Sequence, residues 1–254
     1  MAGYSIAKST LSSEILQTYY TAAKAENNLT ENTDLDIIFT VVVEQREFFP
    51  GLKVTGTKNE QNYINRWVKG YSDAMSNLPS NRIASPKSAC TDPAIGIIVK
   101  GSQELSDEQI ATGEKYHNLF MSAENIQGNL LEEYIAAKVR PYGFLWCAGN
   151  VLHAIDFCNT DGTVLLQIKN KSNTENSSSS TVREGTTIEK WFRVGTRTQR
   201  GVKIPVYKWG VLNEIINSHR TQGYDLPDCN MSETDYQAFL VRISTANHDL
   251  ITNR

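Results

Sequence analysis

Residues 151–170 run apolar, break at Asp161-Gly162 and run apolar again. Asp-Gly between two apolar runs is among the strongest short signals for a two-residue type I′ hairpin turn. Fixing that turn fixes every pairing around it: with Asp161 and Gly162 at the tip, Asp156 faces Gln167 and Ala154 faces Lys169. Cross-strand partners share a face, and so do residues two apart on one strand. The pattern therefore gathers an acid, an amide and a lysine on one patch at the end of a buried hairpin, which is the outline of a metal site with a cation beside it.

A helix ahead of the hairpin supplies the anion the hairpin lacks. In Gly128-Asn129-Leu130-Leu131-Glu132-Glu133-Tyr134-Ile135 the spacing is helical, with Ile126, Leu130, Tyr134 and Ala137 as the packing stripe and the two glutamates flanking it. Adjacent glutamates on a helix are ordinarily a solvated face. These two stand close enough to the hairpin for a helix packed on it to present one of them to the same patch. Glu132 is the better placed, because Gly128 one turn earlier permits a close approach.

The first half of the chain reads as mostly helical and the second half as carrying the sheet. Residues 13–25 have helical spacing along Ile15, Leu16, Tyr19, Tyr20 and Ala23, and residues 59–76 along Tyr63, Ile64, Trp67, Val68 and Tyr71. Residues 36–44 form a β-branched run that suits a strand or a buried helix turn. A Pro- and Ser-rich passage at 78–93 reads as a long irregular connection. Ser106, with Gln109 three residues on, is an N-cap signature for a helix toward Phe120, and residues 122–139 form a second helix ended before Pro141. Strands are expected near 143–146, 151–158, 163–170 and 205–211.

Charge is distributed unevenly. Residues 165–210 hold nine Lys and Arg against three Glu, a balance of +6, so the remainder carries −9 of a net −3. Local sign decides affinity for a phosphate backbone, and the acid-amide-lysine patch directly upstream favours DNA over a merely solvated face. Cys90, Cys147, Cys158 and Cys229 form no CxxC pair, and the four histidines have no zinc-ligand spacing. No run approaches the length of a membrane span, and residues 1–14 lack the apolar stretch of a signal peptide, so a cytoplasmic protein is expected.

Taken together, a glutamate on a GNLLEEYIA helix, an aspartate closing a strand and Gln-x-Lys on the next strand resemble the PD-(D/E)xK nuclease superfamily, in particular its type II restriction endonucleases. The continuation QIKNKSNTENSSSSTVREGTTIEKWFR, a Ser/Asn-rich loop leading into an arginine-bearing stretch, resembles the SinI/AvaII type. The resemblance runs from about residue 62 to the C-terminus. It implies an α/β (α+β) restriction-endonuclease-like core, with a mixed central sheet flanked by helices. One endonuclease domain would span 1–254, a mainly helical part at 1–105 preceding the catalytic core and DNA-recognition elements at 106–254. Two departures stand out: Ile155 replaces the Pro of the motif name, at a position that is no ligand, and Gln167 replaces an acid. An amide oxygen still coordinates a hard cation but brings no charge, so Glu132 has to restore the anion.

The chemistry implied is phosphodiester hydrolysis leaving 5′-phosphates. Asp156, Gln167, the Ile168 carbonyl and Glu132 would hold Mg²⁺, with Lys169 beside the attacking water. DNA contacts are expected from Asn170, Lys171, Asn173, Asn176, Ser178 among the serines at 177–180, Arg183, Arg193, Arg197, Arg200 and Lys203, the arginines being suited to guanine O6 and N7. The resemblance further implies GG(A/T)CC as the site in double-stranded DNA, a homodimer with one active site per strand, and a cognate methyltransferase. Gln167 keeps an alternative in view: a DNA-binding or repair protein of the same fold that is structure-specific or non-catalytic.

Overall fold

A computed structural model describes residues 3–83, 92–171 and 188–251. Three helices come first: α1 (Ser13–Glu26), α2 (Thr33–Glu44) and α3 (Glu60–Ser76). Each starts where the side chain of Ser12, Asn32 or Asn59 accepts a backbone N–H in the first turn, which satisfies a donor the helix itself cannot. The ambiguous β-branched run resolves as α2. Leu35, Ile38, Phe39, Val41 and Val42 are all buried, and the Phe39 ring stacks on Tyr20 at 3.9 Å. Burial on several sides outweighs the modest helix penalty of Val and Ile.

Helices α4 (Pro93–Gln103) and α5 (Asp107–Val139) follow. The capping box expected at Ser106 and Gln109 forms. The two helices expected at 107–120 and 122–139 are one 33-residue helix, because Ser122 turns its hydroxyl back to the Asn118 carbonyl (2.8 Å) instead of capping a new start. The later helices α6 (Trp209–Ser218) and α7 (Glu233–Ala246) have no counterpart in the sequence reading, nor has α4. No helix among the described residues is long and apolar enough to cross a membrane.

The sheet runs β1 (Phe144–Trp146), β2 (Phe157–Asn159), β3 (Leu165–Lys171), β4 (Ile188–Gln199), β5 (Val202–Tyr207) in sequence order. Only β3 and β4 are parallel, so the sheet is mixed, flanked by helices as expected of a restriction-endonuclease-like fold. The hairpin register is the expected one, Phe157 opposite Leu166 and Cys158 opposite Leu165. Its turn is not. Asp161 has no positive φ, whereas type I′ needs two. The side chain of Asn159 accepts from the amides of Thr163 and Val164, and Asn159 O accepts from Gly162 N, so a longer loop closes the same register. A type I′ pair does occur elsewhere, at Arg200 (φ 51°) and Gly201 (φ 78°) between β4 and β5. The strand expected at 205–211 ends at Tyr207, and Trp209 begins α6.

Alternation in the strands sorts the core into two clusters. Leu145, Cys158, Leu165 and Ile188 face α1–α3, while Phe144, Phe157, Leu166, Ile168 and Trp191 face α5, α6 and α7. Trp146 touches both. The stripe expected on α5 is shifted: Leu130, Leu131, Tyr134, Ile135 and Val139 are buried, and Ala137 is exposed.

Candidate active site

Asp156 stands where β2 and β3 part. The strand expected over 151–158 is cut to Phe157–Asn159, and residues 147–156 form a loop with positive φ at Gly149, Asn150 and Ala154. This loop is tied down along its length. Trp67 Nε1 donates to Val151 O at 2.7 Å, and His153 N donates to Phe48 O at 2.7 Å. Gly149 meets Gly70 of α3 so closely that a Cβ at 149 would lie 2.3 Å from the Gly70 oxygen. The β1–β2 ladder continues one step past the strand, with Cys147 N donating to the Asp156 backbone oxygen (2.9 Å), while on the β3 side the amide of Ile168 donates to the Asp156 carboxylate, Oδ2, at 2.6 Å instead of to a backbone carbonyl. The carboxylate is thereby held at the fork of the two strands.

Glu132, Asp156, Gln167 and Lys169 all line one cavity of about 480 Å³, with the 147–155 loop, Trp146, Asn129, Arg82 and Ala74 completing its wall. Gln167 and Lys169 come from alternate positions of β3, on the face opposite Leu166 and Ile168. Of the adjacent glutamates, Glu132 enters the cavity and accepts from Trp146 Nε1 at 3.3 Å. Glu133 binds the backbone amide and hydroxyl of Ser80, at 2.8 and 2.6 Å, and anchors the 3₁₀ turn Pro79–Asn81. Sequence reasoning missed Arg82 and the loop residues, which sit in stretches with no periodicity.

Both carboxyls hold their protons above the usual range. Burial, then the charge of Asp156, pushes Glu132 up to about 7 against the pull of the Trp146 hydrogen bond, Lys169 and Arg82. Asp156 is raised chiefly by burial, opposed by the Ile168 amide and by Lys169. Two desolvated carboxyls that repel one another are relieved by a divalent cation, and the donors here are oxygens, which suit a hard ion. Among the described residues no group of three or more His, Cys, Asp and Glu gathers as a metal-binding cluster; the cavity offers two carboxyls and the Gln167 amide.

The comparison with known proteins draws on the same stretch of chain. Residues 25–212 match the family described as SinI restriction endonuclease. The chain belongs to this family. It is 34% identical over 192 residues to the type II restriction enzyme Eco47I of Escherichia coli, covering 74% of this chain and 75% of that protein. It is also 34% identical over 160 residues to the type II restriction enzyme SinI of Salmonella infantis, covering 61% of this chain and 63% of that one. Its relatives are thus DNA-cleaving enzymes, and the SinI match spans every residue of the cavity.

The DNA-contact candidates of this SinI-family chain are dispersed. Asn173, Asn176, Ser178 and Arg183 lie outside the described residues. Arg193 is placed inside the protein, with its Nη1 2.6 and 2.7 Å from the Glu233 carboxylate oxygens, its Nε 2.8 Å from Asn170 Oδ1, and its guanidinium over the rings of Tyr207 and Tyr236. Its position is that of an internal strut, since a strand residue facing α7 has no path to a groove. Asn170 is engaged on both ends, by Arg193 and by Gln127 (2.5 Å), and Lys171 pairs with Glu124 at 3.1 Å on the surface. Arg197, Arg200 and Lys203 are exposed on the β4–β5 ribbon, where Arg197 pairs with Ile204 and Lys203 with Thr198 on opposite faces and Arg200 occupies the tip.

Proposed function

We propose that this SinI-family enzyme cleaves double-stranded DNA with Mg²⁺ at GG(A/T)CC, using Glu132, Asp156, Gln167 and Lys169, and leaves 5′-phosphates. The observation that carries this reading is their convergence in one cavity, from a helix, a strand fork and a strand. Glu132, Asp156, the Gln167 amide oxygen and the Ile168 carbonyl would hold the ion. When bound, Mg²⁺ supplies Lewis-acid activation of the phosphodiester and of water. Asp156 is kept in orientation by the Ile168 amide, and Glu132 by Trp146. Lys169 orients the attacking water and offsets the charge that builds on the phosphate as the bond to the 3′ oxygen breaks in line. Asp156 and Glu132 contribute the two formal negative charges, so Gln167 serves as a neutral donor.

Recognition is assigned to the β4–β5 ribbon. A two-stranded ribbon fits the major groove of B-DNA, and this one carries Arg197, Arg200 and Lys203 with no acid between Val194 and Tyr207. Asn170, Lys171, Asn173, Asn176, Ser178 and Arg183 remain phosphate- or base-contact candidates, with Arg193 bracing the ribbon's root. The reading treats residues 1–254 as one endonuclease unit, α1–α3 backing the catalytic face of the sheet. It also implies a cytoplasmic homodimer acting on a near-palindromic site that a cognate methyltransferase protects.

The test is incubation of the purified protein with unmethylated phage DNA in Mg²⁺ and in EDTA, followed by sequencing of the ends. Fragments sharing GG(A/T)CC ends with 5′-phosphates, formed only with Mg²⁺, are expected. Specific binding without cleavage across metals and salts would instead favour a non-catalytic or structure-specific DNA-binding protein, with Gln167 as the disabling change.

A further inference from the structure

Arg82 follows the 3₁₀ turn Pro79–Asn81, in a passage whose sequence reads as a plain connection, yet it lines the cavity of Glu132, Asp156, Gln167 and Lys169. The turn that carries it is held from two sides. Glu133 of α5 takes both the amide and the hydroxyl of Ser80. From the C-cap of α7, Asn247 Nδ2 donates to the carbonyls of Ser80 (3.0 Å) and Arg82 (3.1 Å). Among the described residues the guanidinium is aimed by one hydrogen bond, Nε to Asn77 O at 2.9 Å. That bond satisfies a carbonyl at the end of α3, which is the ordinary structural reason for an arginine there. It leaves Nη1 and Nη2, which no group among the described residues engages.

The charges in the cavity then balance as two carboxyls, Glu132 and Asp156, against two cations, Lys169 and Arg82, and the field of Arg82 reaches Glu132. Lys169 carries a point charge on a flexible stem, whereas a guanidinium offers a planar fork that matches two phosphate oxygens. With Gln167 neutral, a third anion is missing that would otherwise compete with DNA for such a fork. Glu133, adjacent to Glu132 on α5, holds the turn that carries Arg82, so one helix turn sets the positions of both an anionic and a cationic wall of the site.

We propose that Arg82 is a catalytic residue of the phosphodiester hydrolysis proposed above, on which this inference rests: its free Nη groups grip a non-bridging oxygen of the scissile phosphate and stabilise the extra charge of the five-coordinate phosphorus. The experiment compares the full-length protein with Arg82→Ala and Arg82→Lys on a duplex carrying the mapped site, in single-turnover cleavage with Mg²⁺ and in binding with Ca²⁺. Removing a preorganised donor of this kind slows chemistry by about 10²- to 10³-fold, so Arg82→Ala is expected to lose that much in rate while its affinity changes by less than about 10-fold. Arg82→Lys, which keeps the charge and the stem but not the fork, is expected to fall between the two. Sulfur substitution of one non-bridging oxygen should slow the wild type for one stereoisomer, and that selectivity should shrink in both variants. A rate for Arg82→Ala within about 3-fold of wild type would overturn the assignment, as would unchanged stereoselectivity in a folded Arg82→Lys. Wild-type protein that cleaves no DNA overturns the nuclease reading and this inference together, whereas an active wild type with an equally active Arg82→Ala overturns this inference alone.

Discussion

Replacing Glu132 by Gln should stabilise the metal-free protein, and mainly at high pH. A glutamate in the unfolded chain ionises near 4.5, while burial and the charge of Asp156 hold Glu132 protonated to about 7 in the fold. The folded state therefore keeps a proton that the unfolded state has released, so stability falls as pH rises from about 4.5 to about 7 and stays down above it. At about 1.4 kcal/mol per pH unit that separation amounts to about 3 kcal/mol at pH 8, and solvent at the open side of the cavity brings it toward about 2 kcal/mol. Glutamine does not ionise, has nearly the same shape and can still accept from Trp146. For a protein of this size about 2 kcal/mol raises Tm by about 4–8 °C. Calorimetry of both proteins without divalent ions at pH 5 and pH 8 checks this: the gain at pH 5, just above the unfolded value, should be about a quarter of that at pH 8. Adding Mg²⁺ at pH 8 should raise the wild-type Tm more than that of the variant. An equal gain at both pH values, or a lower Tm for the variant at pH 8, would refute the reasoning.

Three further substitutions separate chemistry, recognition and scaffold. Lys169→Ala should abolish Mg²⁺-dependent cleavage, by at least about 10²-fold, with Tm within a few degrees of wild type by calorimetry, since Lys169 lines the cavity wall rather than the core. Arg193→Met should lower stability by about 3–5 kcal/mol, because it strands the largely buried Glu233 carboxylate without its partner; urea unfolding measures the loss. Arg197→Ala should leave stability unchanged. In competition binding at two salt concentrations it should cost about 1–3 kcal/mol of discrimination if it reads a base, or reduce the salt slope by about one if it holds a phosphate.

The site was legible where local patterns survive folding. The register inferred from Asp161-Gly162 is the observed one for Phe157 and Cys158 even though the turn has another form, because alternation of buried and polar residues specifies a register independently of how the loop closes. Glu132 and Glu133 were both visible as polar positions on α5, but spacing along a helix does not say which neighbour turns inward; the packing of Trp146 and the Pro79–Asn81 turn decides that. The arginines illustrate the opposite limit. Arg193, Arg197 and Arg200 look alike in a basic segment, and only the docking of α7 with its Glu233 buries the first and leaves the others on the ribbon.

By itself the sequence determined the helix start at Ser106, the helical spacing of residues 13–25 and 59–76, the pairing of β2 with β3 and the chemical types meeting beside it, because caps, periodicity and cross-strand register act over a few residues. Tertiary structure decided that the β-branched run of α2 is a helix, that α5 is unbroken, that residues 147–156 form a pinned loop rather than a strand, and that Arg82 joins the cavity. Those outcomes depend on surfaces contributed by residues far apart in the chain, such as Gly70 against Gly149 and Asn247 against Arg82, whose apposition no local pattern encodes.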